Sequence, residues 1–356
     1  MLHALIMAGG GGTRFWPRSR QQKPKQFLTL TGERTLIQQA FDRIEAQVPA
    51  ERCWVITSAA HRAEVLRQLP NLPPDQVIGE PCGRDTAACI GLGAALIARA
   101  EANGTMVVMP ADHVIEPAQE FRRAVHAAEQ LADENPQALV TFGIVPTYPA
   151  TGYGYIQRGA EQPGRQGTTA FRVQKFEEKP PPDRAEQFVA SGHYYWNSGI
   201  FVWKASTILR SLELLQPKLH SAVQRIAAAW PNGDVLRKEY EALDRISIDY
   251  AVMQDAKEVL VIQAPFNWDD VGSWLALERL HPQDADGNTL LARHCGVRTR
   301  NCVVAADPHH LVATVGVENL LIIQDGNVTL VAHRQDEGNV KQLVEMLKQQ
   351  GLEAYS

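Results

Sequence analysis

The chain has 356 residues, 45% hydrophobic and 21% charged, which supplies a large core and excludes a disordered or fibrous polypeptide. Acidic residues outnumber basic ones 40 to 35, and the net charge of −5 argues against a nucleic-acid binder, which carries a strongly basic face. The length suits two domains, or one large domain with an appendage. Cys53, Cys82, Cys89, Cys295 and Cys302 form no C-x-x-C pair and match no zinc spacing, so buried thiols in a reducing compartment are expected. The N-terminus enters an apolar run with no charged leader region. No apolar run approaches the roughly 20 residues that span a bilayer, so a cytoplasmic, membrane-free protein is expected.

The apolar run Leu2–Met7 predicts a strand, and it leads into four consecutive glycines, Gly9 to Gly12. Glycine lets backbone N–H groups crowd against a ligand, and a concave run of them makes an anion nest. Thr13, Arg14, Arg18, Arg20, Lys23 and Lys25 follow with no acid among them, a local concentration of positive charge in a mildly acidic chain. Residues Gly9 to Phe27 therefore predict a polyphosphate cradle. Two familiar phosphate loops fail here. The P-loop needs Lys-Ser/Thr after its second glycine, whereas Thr13 and Arg14 follow Gly12. The dinucleotide fingerprint needs a glycine where Arg14 stands.

Helices are predicted at Thr35–Ala46, Ala60–Leu69, Asp85–Ala102 and Pro117–Glu134, and strands at Cys53–Ser58, Gln76–Glu80, Thr105–Pro110 and Ala138–Val145. This βαβα order predicts an α/β, Rossmann-like, mainly parallel or mixed sheet flanked by helices, with ligands outside the carboxyl ends of its strands. The glycine run and Ala111-Asp112-His113 both lie at such ends. Further strands are predicted at Tyr153–Gln157, Phe171–Lys179, Ser198–Trp203 and Val259–Gln263, with helices at Asp183–Ser191, Ser206–Ala229 and Ile248–Asp255. After Pro282 the expected strands are short: Val297–Arg300, Cys302–Ala305, Leu311–Val315, Leu320–Gln324 and Val328–His333, closed by a helix at Asn339–Gln349. The expected division is a catalytic domain over 1–282 and a small β-rich domain over 283–356.

Asp112 follows an apolar strand, where a carboxylate beside a phosphate cradle suits Mg²⁺, an ion that takes oxygen ligands from one or two carboxylates plus phosphates. A second carboxylate distant in sequence comes from Trp268-Asp269-Asp270-Val271-Gly272-Ser273-Trp274. Lys179, in Phe176-Glu177-Glu178-Lys179-Pro180, has the charge to neutralise a second phosphate, and Glu177 has acceptors for sugar hydroxyls. Gly154 and Asn197 add backbone access and an amide. In Glu80-Pro81-Cys82-Gly83-Arg84-Asp85-Thr86, Asp85 or Thr86 is expected to cap the following helix, and the loop is placed to read a nucleobase. No histidine shows a metal-ligand spacing on a helix.

The string GGGGTRFWPRS…KPKQF, with FEEKP, WNSGIF, SIDYAVM and WDDVGSW in that order, resembles the sugar-1-phosphate nucleotidyltransferases over most of the chain. Within them it is most similar to the bacterial mannose-1-phosphate guanylyltransferases. The resemblance implies condensation of GTP and mannose 1-phosphate to GDP-mannose and pyrophosphate with Mg²⁺. It implies Arg14 on the β/γ-phosphates, Lys25 on the α-phosphate and Lys179 on the sugar phosphate. Asp112 and Asp270 would hold the metal, Asp270 being chosen over Asp269 by the pattern W-x-D-V-G-S-W. Glu177, Gly154 and Asn197 would orient the sugar. Gly9, Gly10, Gly12 and Thr13 would approach the nucleotide, with Glu80 and Thr86 as further contacts. Two positions depart from the family pattern: Asp85, where Asn is common, and Asp269, where Ser is frequent. Open alternatives are the same chemistry on glucose 1-phosphate with dTTP or UTP, the same on a heptose phosphate with GTP, or a silent nucleotide-sugar-binding subunit. The family and the tail are compatible with a homodimer. Some members carry an additional isomerase domain, for which 356 residues leave no room, so one activity is expected.

Overall fold

The computed structural model describes residues 1–10 and 12–356; Gly11 of the glycine run lies outside them. The chain forms two compact units. The first comprises Met1–Gly9, Ala40–Ala111 and Ile115–Trp268, and the second Gly10–Gln39, Asp112–Val114 and Asp269–Ser356. No helix among the described residues is long and apolar enough to cross a membrane.

The first unit is built on a nine-stranded sheet. Its strands are β1 (Leu2–Ala8), β2 (Cys53–Ser58), β3 (Val77–Glu80), β4 (Thr105–Pro110), β5 (Leu139–Ile144), β6 (Tyr155–Gln162), β7 (Ala170–Glu177), β8 (Tyr194–Lys204) and β9 (Val259–Gln263). Their order is β3-β2-β1-β4-β8-β5-β9-β7-β6. Strands β1 to β4 pair in parallel, as do β5 and β9, while β8 runs antiparallel to both β4 and β5. The sheet is therefore mixed, and the strands of the chain's middle third extend it. Central strands are apolar on both faces because helices cover both. Helices α1 (Leu36–Glu45), α2 (Arg62–Gln68) and α5 (Pro182–Ser191) also form, while α3 (Asp85–Ala100), α6 (Ala205–Leu215) and α7 (Pro217–Ala229) bury Leu5, Val108 and Leu139 on one face. The strand's period of two turns Phe142 to the other face, where it meets Phe266 at 5.8 Å, and Phe266 meets Phe121 of α4 (Ala118–Glu134) at 5.4 Å.

Local chemistry moved several expected boundaries. The helix expected over Ser206–Ala229 is two, since Pro217 has no N–H with which to continue α6 and opens α7 instead. A helix with no counterpart in the sequence reading, α8 (Gly233–Glu241), starts where the Asn232 side chain accepts from the N–H groups of Asp234 and Val235. The helical turn after Ile248 is a single π-turn, Asp249–Met253. Neither Asp85 nor Thr86 caps α3. Arg84 occupies the cap without a side-chain bond, and the Thr86 hydroxyl accepts from Ile248 N at 2.8 Å.

The second unit joins the phosphate-loop segment to the tail. Strands β10 (Thr289–Leu291), β12 (Val303–Ala305), β14 (Leu320–Asp325) and β15 (Val328–His333) form one sheet, and β11 (Arg293–Val297) pairs in parallel with β13 (Leu311–Val315). The strand expected at Val297–Arg300 lies earlier because Arg298, with φ +55°, leaves the extended region. Phe15, Trp16, Leu28 and Leu30 share one core with Val303, Leu321, Ile323 and Leu330 of the tail, Val340 and Val344 of the last helix, and Trp274. Trp274 is fully buried; its ring lies 5.1 Å from Phe15, and its Nε1 donates to Trp16 O at 3.0 Å. Trp274→Ala is expected to destabilise this unit by about 3–5 kcal/mol, read from denaturant unfolding. A loss below about 1 kcal/mol would show that the core does not depend on it.

Candidate active site

The glycine-loop residues assemble around Lys25. Its side chain is 8% exposed, and its Nζ donates to Asp112 Oδ2 at 2.8 Å and to the backbone carbonyl of Asp270 at 2.6 Å. A buried ammonium must be paired. One lysine thus binds two segments, 112 and 270, that are far apart in sequence. Gly12 is held in the left-handed region at φ +55°, and a Cβ there would clash with the Lys25 side chain and lie 2.8 Å from its backbone N. Both constraints demand glycine. The Ser19 hydroxyl donates to Gly12 O at 2.6 Å and fixes the loop's exit. Gly10, at φ +97°, is likewise a glycine conformation, and Thr13 opens the short helical turn that carries Arg14.

The cations of this segment divide into two kinds. Arg14 is exposed, with Nη1 3.5 Å from Gly272 O, so its guanidinium remains accessible to solvent. Arg18 and Arg20 serve the tail. Arg18 donates to Ala306 O at 3.0 Å beneath the Trp274 ring, and Arg20 pairs with Asp325. Burial lowers the Arg18 pKa.

Burial alone would raise the Asp112 pKa, but the charges of Lys25 and His113 and the hydrogen bond from Lys25 outweigh it and hold the carboxyl below the ordinary value. The carboxylate is 34% exposed, so a ligand can still reach it. The two neighbouring acids of the second motif part company. Asp269 is bound by Arg279 through two contacts, 2.6 and 3.1 Å, and accepts from Val271 N at 2.7 Å. Asp269 is thereby a structural anchor, and Val271 is held at φ +45°, a region costly for a β-branched residue. Among the described residues no three His, Cys, Asp or Glu side chains cluster as a metal cage. Lys25 instead gathers the Asp112 carboxylate and the Asp270 backbone carbonyl, oxygen donors of the kind a hard divalent ion takes.

In the first unit, the expected sugar residues form a second cluster. A bulge in β8 against β5 sets Asn197 opposite Gly143, and Asn197 N donates to Gly154 O at 2.8 Å. Gly154 leaves room for a carboxylate oxygen of Glu178, which a Cβ would strike. Glu178 is 8% exposed; one oxygen pairs with Lys179 Nζ at 2.7 Å and the other is buried with no hydrogen-bond partner among the described residues. Lys179 sits at φ +47°. Asn197 Nδ2 donates to Asp249 Oδ1 at 2.9 Å. Burial, and then Glu178, push the Asp249 carboxyl up to about 6 despite the Asn197 bond. Glu177 pairs instead with Lys175 and Arg184, each at 2.9 Å. Glu177, not Glu178, is the residue expected from the sequence, although the period of two from buried Phe176 points to residue 178. Asp249 carried no such signal. Glu80, at the end of β3, is buried and accepts from the Tyr240 hydroxyl.

Residues 3–287 match the nucleotidyl transferase family, and residues 292–347 match the MannoseP isomerase/GMP-like beta-helix domain. A mannose-1-phosphate guanylyltransferase of Klebsiella pneumoniae is 41% identical over 98% of this chain and 74% of its own length. One from Escherichia coli strain K12 is 40% identical over the same shares. A crystal structure from Thermus thermophilus, titled mannose-1-phosphate geranyltransferase, superposes with TM-score 0.88 at 36% identity, covering 98% of this chain and 99% of that one. The chain belongs to the nucleotidyl transferase family, among its mannose-1-phosphate guanylyltransferases.

Proposed function

We propose that this chain condenses GTP with α-D-mannose 1-phosphate to give GDP-mannose and pyrophosphate. The observation that carries the reading is Lys25, which draws the glycine loop, Asp112 and Asp270 into one charged site suited to a polyphosphate and a cation. A phosphate oxygen of the sugar phosphate attacks the α-phosphorus of GTP in line. A new P–O bond forms as the bond to the β-phosphate bridging oxygen breaks, and pyrophosphate leaves. Two anions react, so the chain's task is positioning and charge neutralisation rather than covalent attack.

Arg14 takes the β- and γ-phosphates and Lys25 the α-phosphate, with Gly9, Gly10, Gly12 and Thr13 lying along the nucleotide. Glu80 and Thr86 lie toward the base and ribose. Lys179 takes the sugar phosphate, and Gly154, Glu177 and Asn197 orient the sugar. The residue support is the exposure of Arg14, the pairing of Lys25 and the contact of Gly154 with Asn197. Family members generally use a divalent metal. Mg²⁺ is the ion we assign, with Asp112 and Asp270 as its protein ligands. When bound it supplies Lewis-acid neutralisation of the phosphate oxygens.

We take 1–282 as the nucleotidyltransferase domain and 283–356 as the β-rich domain. A cytoplasmic location accords with the unpaired state of all five cysteines. A homodimer through the tail accords with the exposed apolar Val297, Leu311 and Val315 on the paired strands β11 and β13.

Pyrophosphate release across a panel of nucleoside triphosphates and sugar phosphates is expected to be fastest with GTP and mannose 1-phosphate. Faster turnover of glucose 1-phosphate with dTTP or UTP would overturn the substrate assignment. Lys25→Ala and Asp270→Ala, checked for folding by circular dichroism, should each lower kcat by about 10²–10³-fold. Wild-type rates in either would remove the central assignment. The carboxyl of Asp112, followed by NMR, should titrate below the ordinary aspartate range. In Lys25→Met it should titrate higher, since burial then acts with less opposing charge. An unmoved titration would show that Lys25 does not set its charge.

A further inference from the structure

Helix α8 carries none of the expected substrate contacts, yet its Tyr240 is wholly buried and its hydroxyl donates a hydrogen bond to Glu80 Oε1. The helix itself is tied to the segment after β3. Arg84 Nε donates to Tyr240 O at 3.2 Å, and Arg84 Nη2 donates to Glu241 O. The other Glu80 oxygen, Oε2, stands 3.7 Å from where a Cβ on Gly9 would lie, at the start of the glycine run. The tyrosine therefore fixes one oxygen of a buried carboxylate while the other faces the backbone on which the nucleotide is proposed to lie.

A carboxylate accepts hydrogen bonds and, when ionised, donates none. Guanine offers a matching edge, with N1–H and the N2 amino group as two adjacent donors. Adenine presents a lone pair at N1, and uracil presents one N–H between two carbonyls. A site built to pair two donors rejects a base that leaves its oxygens unpaired. The carboxylate plane must be set for both bonds to form, and the Tyr240 hydroxyl sets it. We propose that Tyr240 is a positioning residue for base selection: by pinning Glu80 Oε1 it presents the carboxylate to the N1–H and N2 amino edge of guanine. This rests on the reading of the chain as a GTP-using nucleotidyltransferase.

Burial pushes Glu80 up to about 7, the Tyr240 bond opposes that, and Asp85 adds to it. The groups acting on this carboxylate are Tyr240 from α8 and Asp85 and Cys89 from α3, while Cys82 of the intervening loop acts on the Tyr240 phenol; Arg245 pairs with Asp85 at 3.0 Å. Burial raises the Cys89 thiol and the Tyr240 phenol well above their ordinary values, so both stay neutral through the pH range of interest. Only ionised Glu80 accepts both guanine donors, so KM for GTP falls as pH rises through about 7. Removing the tyrosine hydroxyl removes a bond that favours the ionised form, which moves this fall to higher pH.

The test compares KM and kcat for GTP and for ITP, which lacks the 2-amino group, between pH 6 and 9 in the whole protein. Tyr240→Phe should raise KM for GTP about tenfold, as expected for one lost buried hydrogen bond, with kcat changed about twofold at most. KM for ITP should rise less, narrowing the preference, and the pH midpoint should move up. Glu80→Gln, which keeps the tyrosine, should abolish the GTP-over-ITP preference. An unchanged preference and midpoint in Tyr240→Phe would overturn the role of Tyr240, as would a wild-type preference in Glu80→Gln. A wild-type protein that forms no GDP-mannose from GTP would instead sink the reading of the enzyme itself.

Discussion

A lysine ammonium removed from water is among the more expensive things a fold can bury, and it survives only if its charge is met at close range. Lys25 meets that condition with the Asp112 carboxylate and the Asp270 carbonyl. The constraint propagates outward. Lys25 lies so close to Gly12 that no side chain fits there, which fixes the path of the glycine loop. The Asp270 carbonyl can point at Nζ only because the chain turns sharply at Val271, and that turn is held by Asp269 and Arg279. The same contact keeps Asp112 ionised and partly open to solvent, the state a cation ligand requires. In the proposed reaction Lys25 faces an incoming phosphate as well as a resident carboxylate, so its attraction is divided between the substrate and the metal ligand.

This arrangement gives the β-rich tail a physical role. Phe15 and Trp16 follow directly on Arg14, and both are buried in one core with tail residues such as Leu321 and Ile323 and with Trp274. Arg18 and Arg20, which by sequence belong to the basic stretch, spend their donors on Ala306 and Asp325 of the tail. The loop opens on a glycine run, whose conformational entropy must be offset by something rigid beneath it. The tail supplies that floor. It contributes no catalytic group to the proposed reaction, yet the loop proposed to bind the triphosphate is folded as part of the same unit.

The alternation of apolar runs was enough to find the strands β1 to β5 and their helices, because buried parallel strands and amphipathic helices write their period directly into the sequence. The glycine run followed by cations stood out in the sequence because that pattern has few uses, and the structure gathers its Lys25 with Asp112 and Asp270. Other features left no local trace. Whether β8 runs parallel or antiparallel depends on connections, not on its own residues. Helix α8 is mostly polar, and Asn232 was the one cue to its start. Tyr240 and Asp249 act through partners more than 50 residues away, Glu80 and Asn197, and no window on a single sequence brings those together. Glu178 was recoverable in principle from strand period, but the adjacent Glu177 competed for the same reading.

Three residues at positive φ, Asp85, Lys179 and Val271, fall inside the three motifs RDT, EEKP and WDDVGSW. Each such backbone costs of order 1–3 kcal/mol for a residue with a Cβ, and glycine would remove that cost. Glycine is absent because each side chain is engaged. Val271 is fully buried in the core beneath the phosphate loop, Lys179 pairs with buried Glu178, and Asp85 pairs with Arg245. Of the other non-glycine residues at positive φ, Asn301 and Asn319 are of the type that tolerates this region well. The strain thus collects where the chain must turn abruptly and still deliver a particular side chain. For Lys179 that delivery is an ammonium paired with Glu178, whose other oxygen lies against Gly154, and it is the group the proposed reaction needs to offset the charge of the attacking phosphate.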